Sequence, residues 1–326
     1  MDLLKLRKKI NFKLIEYQKK KKASIVFGYP YWLTIDPSSI CNLGCVFCPT
    51  GQKRGTRPGK ILSFDGFKKI LDKLGPYLFH VDFCNWGEPL LNKELAKMIS
   101  YAKRFNISTK VDTNLNVDLT DDEAKAIVNS GLDRLTVSID GATHEVYEKY
   151  RRGGNLSKVL GNMRLLADKK IELGLQTPHI HWQFLVFKHN EHEIEEARRV
   201  YSKYGADSIG FTAPFCSPEW TSTIKEYNMY NTEDKNISFK KSDDVCEWPW
   251  DGITINSDAS VSPCCSVEES KYDFDNFLSK AFWRIWNGRE YRTARKFIKD
   301  RVVPANGNRC TICTHIGASN HRKINE

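Results

Sequence analysis

The chain has 326 residues, 40% of them apolar and 12% aromatic, with ten cysteines and a formal net charge of +10. This composition excludes a disordered chain, and no run approaches the roughly 20 apolar residues of a membrane span. No apolar segment follows the N-terminal charges, so no secretory leader is expected and the chain is read as cytoplasmic. In that compartment, ten cysteines point to metal binding rather than disulfides.

Residues 1–29 are basic, with Lys5, Arg7, Lys8, Lys9, Lys13 and the run Lys19 to Lys22. Leu3, Leu4, Leu6, Ile10, Leu14 and Ile15 recur among them at helical spacing. The pattern predicts a helix that either packs on the outside of the main domain or touches an anionic membrane. Strands are then predicted at Tyr31–Ile35, His80–Cys84, Ser108–Thr113, Arg134–Ile139, His179–Phe187 and Ser208–Thr212. Helices alternate with them: Ser63–Leu74 with Ser63 as N-cap, Lys93–Phe105, Asp121–Ser130, Leu156–Leu173 and His192–Tyr204. Strand-then-helix order implies parallel strands and right-handed crossovers. An open doubly wound sheet and a curved partial barrel both fit, and periodicity does not choose between them.

After Cys216 the rhythm breaks. Residues 217–245 are polar, and 246–326 carry five cysteines, a hairpin-like Gly252 to Pro263 and an aromatic-rich helix, Phe282 to Phe297. The expected organisation is therefore a basic helical segment (1–29), an α/β domain (30–215) and a small cysteine-rich α+β domain (216–326).

In parallel α/β folds, ligands bind at the carboxyl ends of the strands. The loop after the first strand holds Cys41, Cys45 and Cys48. Three thiols are one short of a closed zinc or iron–sulfur site. Asn85-Trp86-Gly87-Glu88-Pro89, Asn114 and Asp140-Gly141 occupy the corresponding loops on the same rim. A zinc site completed by a histidine is the alternative, but no histidine lies nearby in sequence.

The spacing Cys-x-x-x-Cys-x-Φ-Cys, with Phe47 as the aromatic Φ, resembles that of the radical SAM superfamily. The resemblance implies a partial (β/α)6 barrel and a 4Fe–4S cluster on Cys41, Cys45 and Cys48 whose open iron binds S-adenosylmethionine. Reductive cleavage of that cofactor to a 5′-deoxyadenosyl radical follows from the same resemblance. Phe47 then lies near adenine, and Gly87 and Glu88 meet the methionine amino group. Thr113-Asn114 resembles a Thr-Asn-Gly turn with Leu115 in place of Gly, which makes Asn114 a binding position. Ser138 resembles the ribose contact, and Arg151 the partner of the methionine carboxylate.

Cys246, Cys264 or Cys265, Cys310 and Cys313 supply four further thiols, a set that suits zinc or 4Fe–4S. Their context resembles the SPASM/twitch extension of radical SAM enzymes, in the shorter form with one auxiliary 4Fe–4S cluster. Spacing favours Cys264 over Cys265.

The resemblance further implies a flavodoxin- or ferredoxin-type electron donor and hydrogen abstraction from a carbinol carbon. The expected substrate is a sugar or aminocyclitol, and the net charge suits a phosphorylated or nucleotide-linked one. Dehydrogenation and epimerisation both remain open, with Cys216 the candidate hydrogen donor for the latter. Peptide maturation is the rival, although only residues 1–29 precede the first strand. RNA modification is a weaker rival, since no RNA-binding module is recognisable and no stable nucleic-acid partner is expected. His181, Gln183, Lys188 and Asn190 are candidate pocket residues. Alternation leaves open whether His181 and Gln183 or their neighbours face inward.

Overall fold

Residues 3–54, 57–228, 230, 246–302 and 306–313 are described by the computed structural model. After helix α1 (Leu3–Lys20), strands β1 (Trp32–Ile35), β2 (His80–Asp82), β3 (Ser108–Thr113), β4 (Arg134–Ser138), β5 (His179–Leu185) and β6 (Ser208–Thr212) alternate with helices. The helices between them are α2 (Phe64–Leu74), α3 (Leu95–Lys103), α4 (Asp121–Asn129), α5 (His144–Tyr150), α6 (Leu156–Glu172) and α7 (Ile194–Val200). Their starts are written locally. Ser63 Oγ accepts from Gly66 N, and Thr120 with Glu123 forms a reciprocal capping box ahead of α4. The C-terminal region supplies α8 (Trp248–Asp251), β7 (Gly252–Ile255), β8 (Ser260–Ser262), β9 (Asp275–Asn276), α9 (Phe282–Trp286) and α10 (Arg289–Asp300).

The sheet runs β6-β5-β4-β3-β2-β1-β7-β8-β9. Strands β1 to β6 pair in parallel and in sequence order, as a partial (β/α)6 barrel requires. The expected hairpin is present as β7–β8, and β7 adds in parallel to β1, with Leu33 opposite Ile253. The sheet therefore continues past the boundary expected near residue 216.

The two sheet faces differ sharply. Leu33, Val81, Val111, Leu135 and Ile180 are essentially inaccessible and join the core formed with the helices. The other face carries Asp82, Lys110, Asp112, Arg134, His181 and Gln183, all half-buried. Strands covered on both faces read as continuous apolar runs, so this alternation marks a wet lumen. It also settles the phase of β5: Ile180, Trp182 and Phe184 lie under the helices, while His181 and Gln183 face the lumen.

Helix α1 packs on the outside of the barrel. Ile15 is buried against Gly28, Gln18 Oε1 accepts from the backbone of Phe27 and Gly28, and Lys19 Nζ bridges to Glu247 and Asp251. Leu3, Ile10 and Tyr17 remain exposed. The helix expected over Phe282–Phe297 is two helices. Asn287 breaks it by exchanging hydrogen bonds with the backbone of Val26, 2.9 and 2.8 Å. Helix α5 was not expected.

Arg295 of α10 holds this region to the barrel. Its buried guanidinium donates to the carbonyls of Pro249 (2.9 Å) and Trp286 (2.8 Å) and lies over the Trp286 ring. Burial pulls its pKa down to about 9. Arg295→Ala is expected to cost about 3 kcal/mol through unpaired carbonyls and a cavity, read as a lower midpoint in chemical unfolding.

Candidate active site

The cysteine loop is held by the loop that follows β2. A Cβ on Gly87 would lie 1.7 Å from Ser38 O, so only glycine permits the contact. Glu88 N then donates to Ile40 O at 2.8 Å. The Glu88 side chain turns inward, where it is 2% exposed. Its carboxylate accepts from Thr113 Oγ1 (2.5 Å), Asn114 N (2.8 Å) and Leu90 N (3.0 Å). Burial raises its pKa, and these donors oppose the shift. Three donors occupy most of the acceptor capacity expected to meet a methionine amine. Asp36, just after β1, is fully buried behind the same loop and accepts from Gly87 N at 3.5 Å. Its Oδ2 has no partner. Burial lifts its pKa to about 7, against the Gly87 hydrogen bond and the charge of Arg57.

Asn114 reaches the cysteines. Its Nδ2 lies 3.7 Å from Cys41 Sγ and 3.1 Å from Asn42 Oδ1. Leu115, where the family turn has glycine, adopts the left-handed φ of 54° and is completely buried. Arg151 caps α5, and its Nη1 lies 3.9 Å from Cys45 Sγ while Nε donates to Asp140 Oδ2 at 2.6 Å. Asp140 also accepts from Leu185 N, 2.7 Å. Burial works against the Arg151 charge, but Asp140 keeps it protonated. Asn190 is a buried brace and not a pocket residue, since its amide donates to the carbonyls of Asp140 and Leu185. Phe47 sits in an aromatic cluster with Tyr150, Phe187 and Trp220, and Cys216 packs against the same cluster. Ser138 ends β4 on the lumen face beside Gln183.

Lys188 lines an open cavity of about 880 Å³ with Lys149, Arg152, His189 and Trp220. A second cavity of about 430 Å³ runs along Cys41, Asn42 and Gly44 to Trp86 and Glu268.

The thiols form two groups. Burial pushes Cys41 up to about 11, and the charges of Glu88, Cys45 and Cys48 add to it. Cys45 is raised by burial and partly relieved by Arg151. In the C-terminal region, Cys310 is raised by burial and then by Cys264, Cys246 and Cys313. Cys264, raised by burial to about 11, likewise feels Cys265, Cys246 and Cys313, and Cys265 also raises Cys246. Cys265 is exposed, and the barrel carboxylate facing it is Asp82. The regions are stitched together by Arg57, which pairs with Asp273 through both nitrogens (2.7 and 2.8 Å), and by Trp86 Nε1, which donates to Val267 O. Among the described residues no three His, Cys, Asp or Glu side chains are grouped closely enough to hold a single metal ion. Thiols that raise one another's pKa are a donor set that a cationic cluster relieves by taking them as thiolates.

The family profile of the radical SAM superfamily matches residues 35–211, more than half of the chain. The chain belongs to the radical SAM superfamily. Residues 246–314 match the SPASM iron–sulfur cluster-binding domain. Radical SAM relatives include the GTP 3′,8-cyclase of Limosilactobacillus fermentum, 30% identical over 148 residues, 44% of this chain and 45% of the relative. The mycofactocin maturase MftC of Mycolicibacterium smegmatis is 27% identical over 183 residues, 54% of this chain and 43% of the relative. The matches thus span less than half the length of these curated relatives. Streptococcus suis SuiB bound to S-adenosylmethionine shares the fold, with TM-score 0.65 and 15% identity over 87% of this chain and 71% of that one. A radical SAM core with a SPASM domain takes S-adenosylmethionine and two iron–sulfur clusters, and the two thiol groups fit them.

Asp36 and Arg57 were not singled out from sequence, and Asp140 was picked out as a rim residue without its partner Arg151. Their partners lie 51, 216 and 11 residues away, beyond any local motif. Two outcomes follow from this radical SAM site. Leu115→Gly relieves about 1 kcal/mol of backbone strain but removes a buried side chain worth about 3–5 kcal/mol, so urea titration should show net destabilisation. The folded pKa of Asp36 is raised, so the stability it contributes is full below about pH 4 and lost as pH rises through about 7. The thermal midpoint of the wild type should therefore fall more between pH 5 and pH 8 than that of Asp36→Asn, which keeps the acceptor for Gly87.

Proposed function

We propose that the chain dehydrogenates a carbinol carbon of a small polyhydroxylated substrate, a sugar or aminocyclitol, free or phosphorylated or nucleotide-linked. The observation that carries this reading is the lumen face of the sheet. Charged and polar side chains line the sheet face opposite the helices, and the three-cysteine loop follows the carboxyl end of β1. A polyol needs many polar partners, and Asp82, Lys110, Asp112, Arg134 and His181 supply both donors and acceptors. When bound, S-adenosylmethionine and the clusters supply the radical that removes the carbinol hydrogen and the acceptor for the second electron.

The protein's own residues bind and orient. Cys41, Cys45 and Cys48 would hold the cluster that takes S-adenosylmethionine; Cys246, Cys264, Cys310 and Cys313 would hold the auxiliary one. Arg151, aimed by Asp140, would pair with the methionine carboxylate. The Gly87 backbone would meet the amino group, with Glu88 fixing that backbone. Asn114 and Ser138 would serve the polar side of the nucleoside, and Phe47 its adenine. Epimerisation would use the same site with Cys216, which packs against the same cluster as Phe47, returning the hydrogen.

A second reading, peptide modification, is favoured by the similarity to the M. smegmatis maturase and by the open cavity around Trp220. The experiment that separates the two incubates the reduced enzyme with carbon-deuterated polyols or with peptides. Deuterium appearing in 5′-deoxyadenosine only with a polyol supports dehydrogenation, whereas transfer only from a peptide sinks it.

Anaerobically prepared protein is expected to carry about eight irons in two clusters. Replacing Cys41, Cys45 and Cys48 with Ala should leave about four and abolish 5′-deoxyadenosine formation. Cys264→Ala should lower the iron content of the other site while Cys265→Ala leaves it intact. Asp140→Asn should raise KM for S-adenosylmethionine roughly tenfold, the effect of losing one charge-assisted hydrogen bond, with iron content unchanged.

A further inference from the structure

Helix α1 is amphipathic the wrong way round. A surface helix normally turns its apolar stripe to the core and its polar face to water. Of the four buried residues of α1, Lys8, Asn11, Ile15 and Gln18, only Ile15 is apolar. Hydrogen bonds hold the helix to the barrel. Asn11 exchanges a pair with the backbone of Tyr29, 2.9 and 2.7 Å, and Lys8 Nζ donates to Asn106 O at 2.9 Å. Gln18 Oε1 accepts from Phe27 N and Gly28 N, 3.2 Å each.

The apolar residues stand on the outside. Leu3 is 80% exposed, Ile10 59% and Tyr17 63%. They recur every seven residues, just under two turns, and so form one stripe about 21 Å long. Neighbours three and four positions ahead flank such a stripe on either side. Lys13 and Lys20 follow Ile10 and Tyr17 by three, and Arg7 follows Leu3 by four, so cations border both edges. These three and Lys5 and Lys9 are exposed, and no ion pair engages them among the described residues. The single acid of the helix, Glu16, is committed to Lys19 at 2.7 Å.

The position of the helix matters as much as its faces. Lys8 lies over the Phe79 ring, and Phe12 meets Tyr31 and Phe79 edge-on. Tyr31, Phe79 and Asn106 immediately precede β1, β2 and β3, so α1 runs across the N-terminal ends of these strands. The three-cysteine loop follows the carboxyl end of β1, at the other end of the barrel.

Charge and shape select what covers this face. A second copy would bring like charges against both edges of the stripe. A nucleic acid would pair with the cations and leave Leu3 and Ile10 in water. An anionic bilayer satisfies both: its headgroups meet the cations, and the apolar stripe enters the boundary between headgroups and acyl chains, where tyrosine is favoured. Lysine and arginine stems lie along such a surface with their charges reaching the headgroups.

We propose that α1 docks the protein reversibly on an anionic lipid bilayer, with Leu3, Ile10 and Tyr17 in the interface and Arg7, Lys13 and Lys20 on the headgroups. Docked in this way, the three-cysteine loop faces away from the lipid and stays open to solvent. The docking is independent of the carbinol reading given above.

The test is co-sedimentation of the anaerobically purified holoprotein with vesicles of phosphatidylcholine, alone or mixed with phosphatidylglycerol. Binding should require the anionic lipid. It should weaken as salt rises from about 0.1 to about 1 M and the screening length falls from about 10 to about 3 Å. Changing Lys9, Lys13 and Lys20 together to Gln should weaken it about fivefold for each charge removed. Ile10→Ser combined with Tyr17→Ser should weaken it about tenfold, and Ile10→Trp should tighten it. The altered side chains are exposed, so iron content and the unfolding midpoint should stay at wild-type values. Equal binding to neutral vesicles, no binding to either kind, or binding indifferent to the paired serine changes overturns the proposal. A dimer in the absence of lipid that the serine changes return to monomer also overturns it, in favour of a second copy. None of these readouts uses turnover, so failure of the carbinol chemistry leaves them untouched.

Discussion

The buried carboxylate of Glu88 is the constraint on which the rim depends. A carboxylate without water must be satisfied by donors, and the three available come from Thr113, Asn114 and its own following turn. Hydrogen bonds to a charged group contribute about 1.5–3 kcal/mol each, so the strand ends of β2 and β3 are tied together strongly. The tie can form only because Gly87 lets the same loop press on Ser38 and Ile40. The cysteine loop thus inherits its position from strands that contribute no cysteine to it. Asn114, fixed at its backbone by Glu88, turns its amide to Cys41.

A parallel device works on the opposite side. Asp140 is inaccessible, and it aims the Arg151 guanidinium at Cys45. Asn190 in turn pins the Asp140 carbonyl. Both sides use a buried acid as a fixed point and leave the outward group, an amide or a guanidinium, facing the site. Preorganisation of this kind spares the enzyme the cost of ordering the groups when its cofactor binds. The lumen below follows the opposite rule. Its charged side chains are half-buried, which suits a surface that must exchange water for substrate.

Much of this was legible in the sequence, where the signal was local. The spacing of Cys41, Cys45 and Cys48, the rim loops, the order of strands and the cap at Ser63 all rest on signals within a few residues. Distant pairings were not legible. Arg57 meets Asp273 across 216 residues, and Asn287 breaks a helix because it meets Val26 from 261 residues away. Glu88 was picked out, but its inward turn depends on Thr113, which spacing cannot report. The lumen residue His181 was named without its orientation, since a period of two has two phases and only the packing of Trp182 and Phe184 under the helices selects one.

The central claim is that the three-cysteine site is open to S-adenosylmethionine while the four-cysteine site is closed. Mössbauer spectroscopy of ⁵⁷Fe-loaded protein, before and after addition of S-adenosylmethionine, tests it most directly. The account predicts that one iron, in the cluster lost on replacing Cys41, Cys45 and Cys48, changes its isomer shift as it gains nitrogen and oxygen ligands. A spectrum that does not change, or a change confined to the cluster of Cys246, Cys264, Cys310 and Cys313, would contradict it.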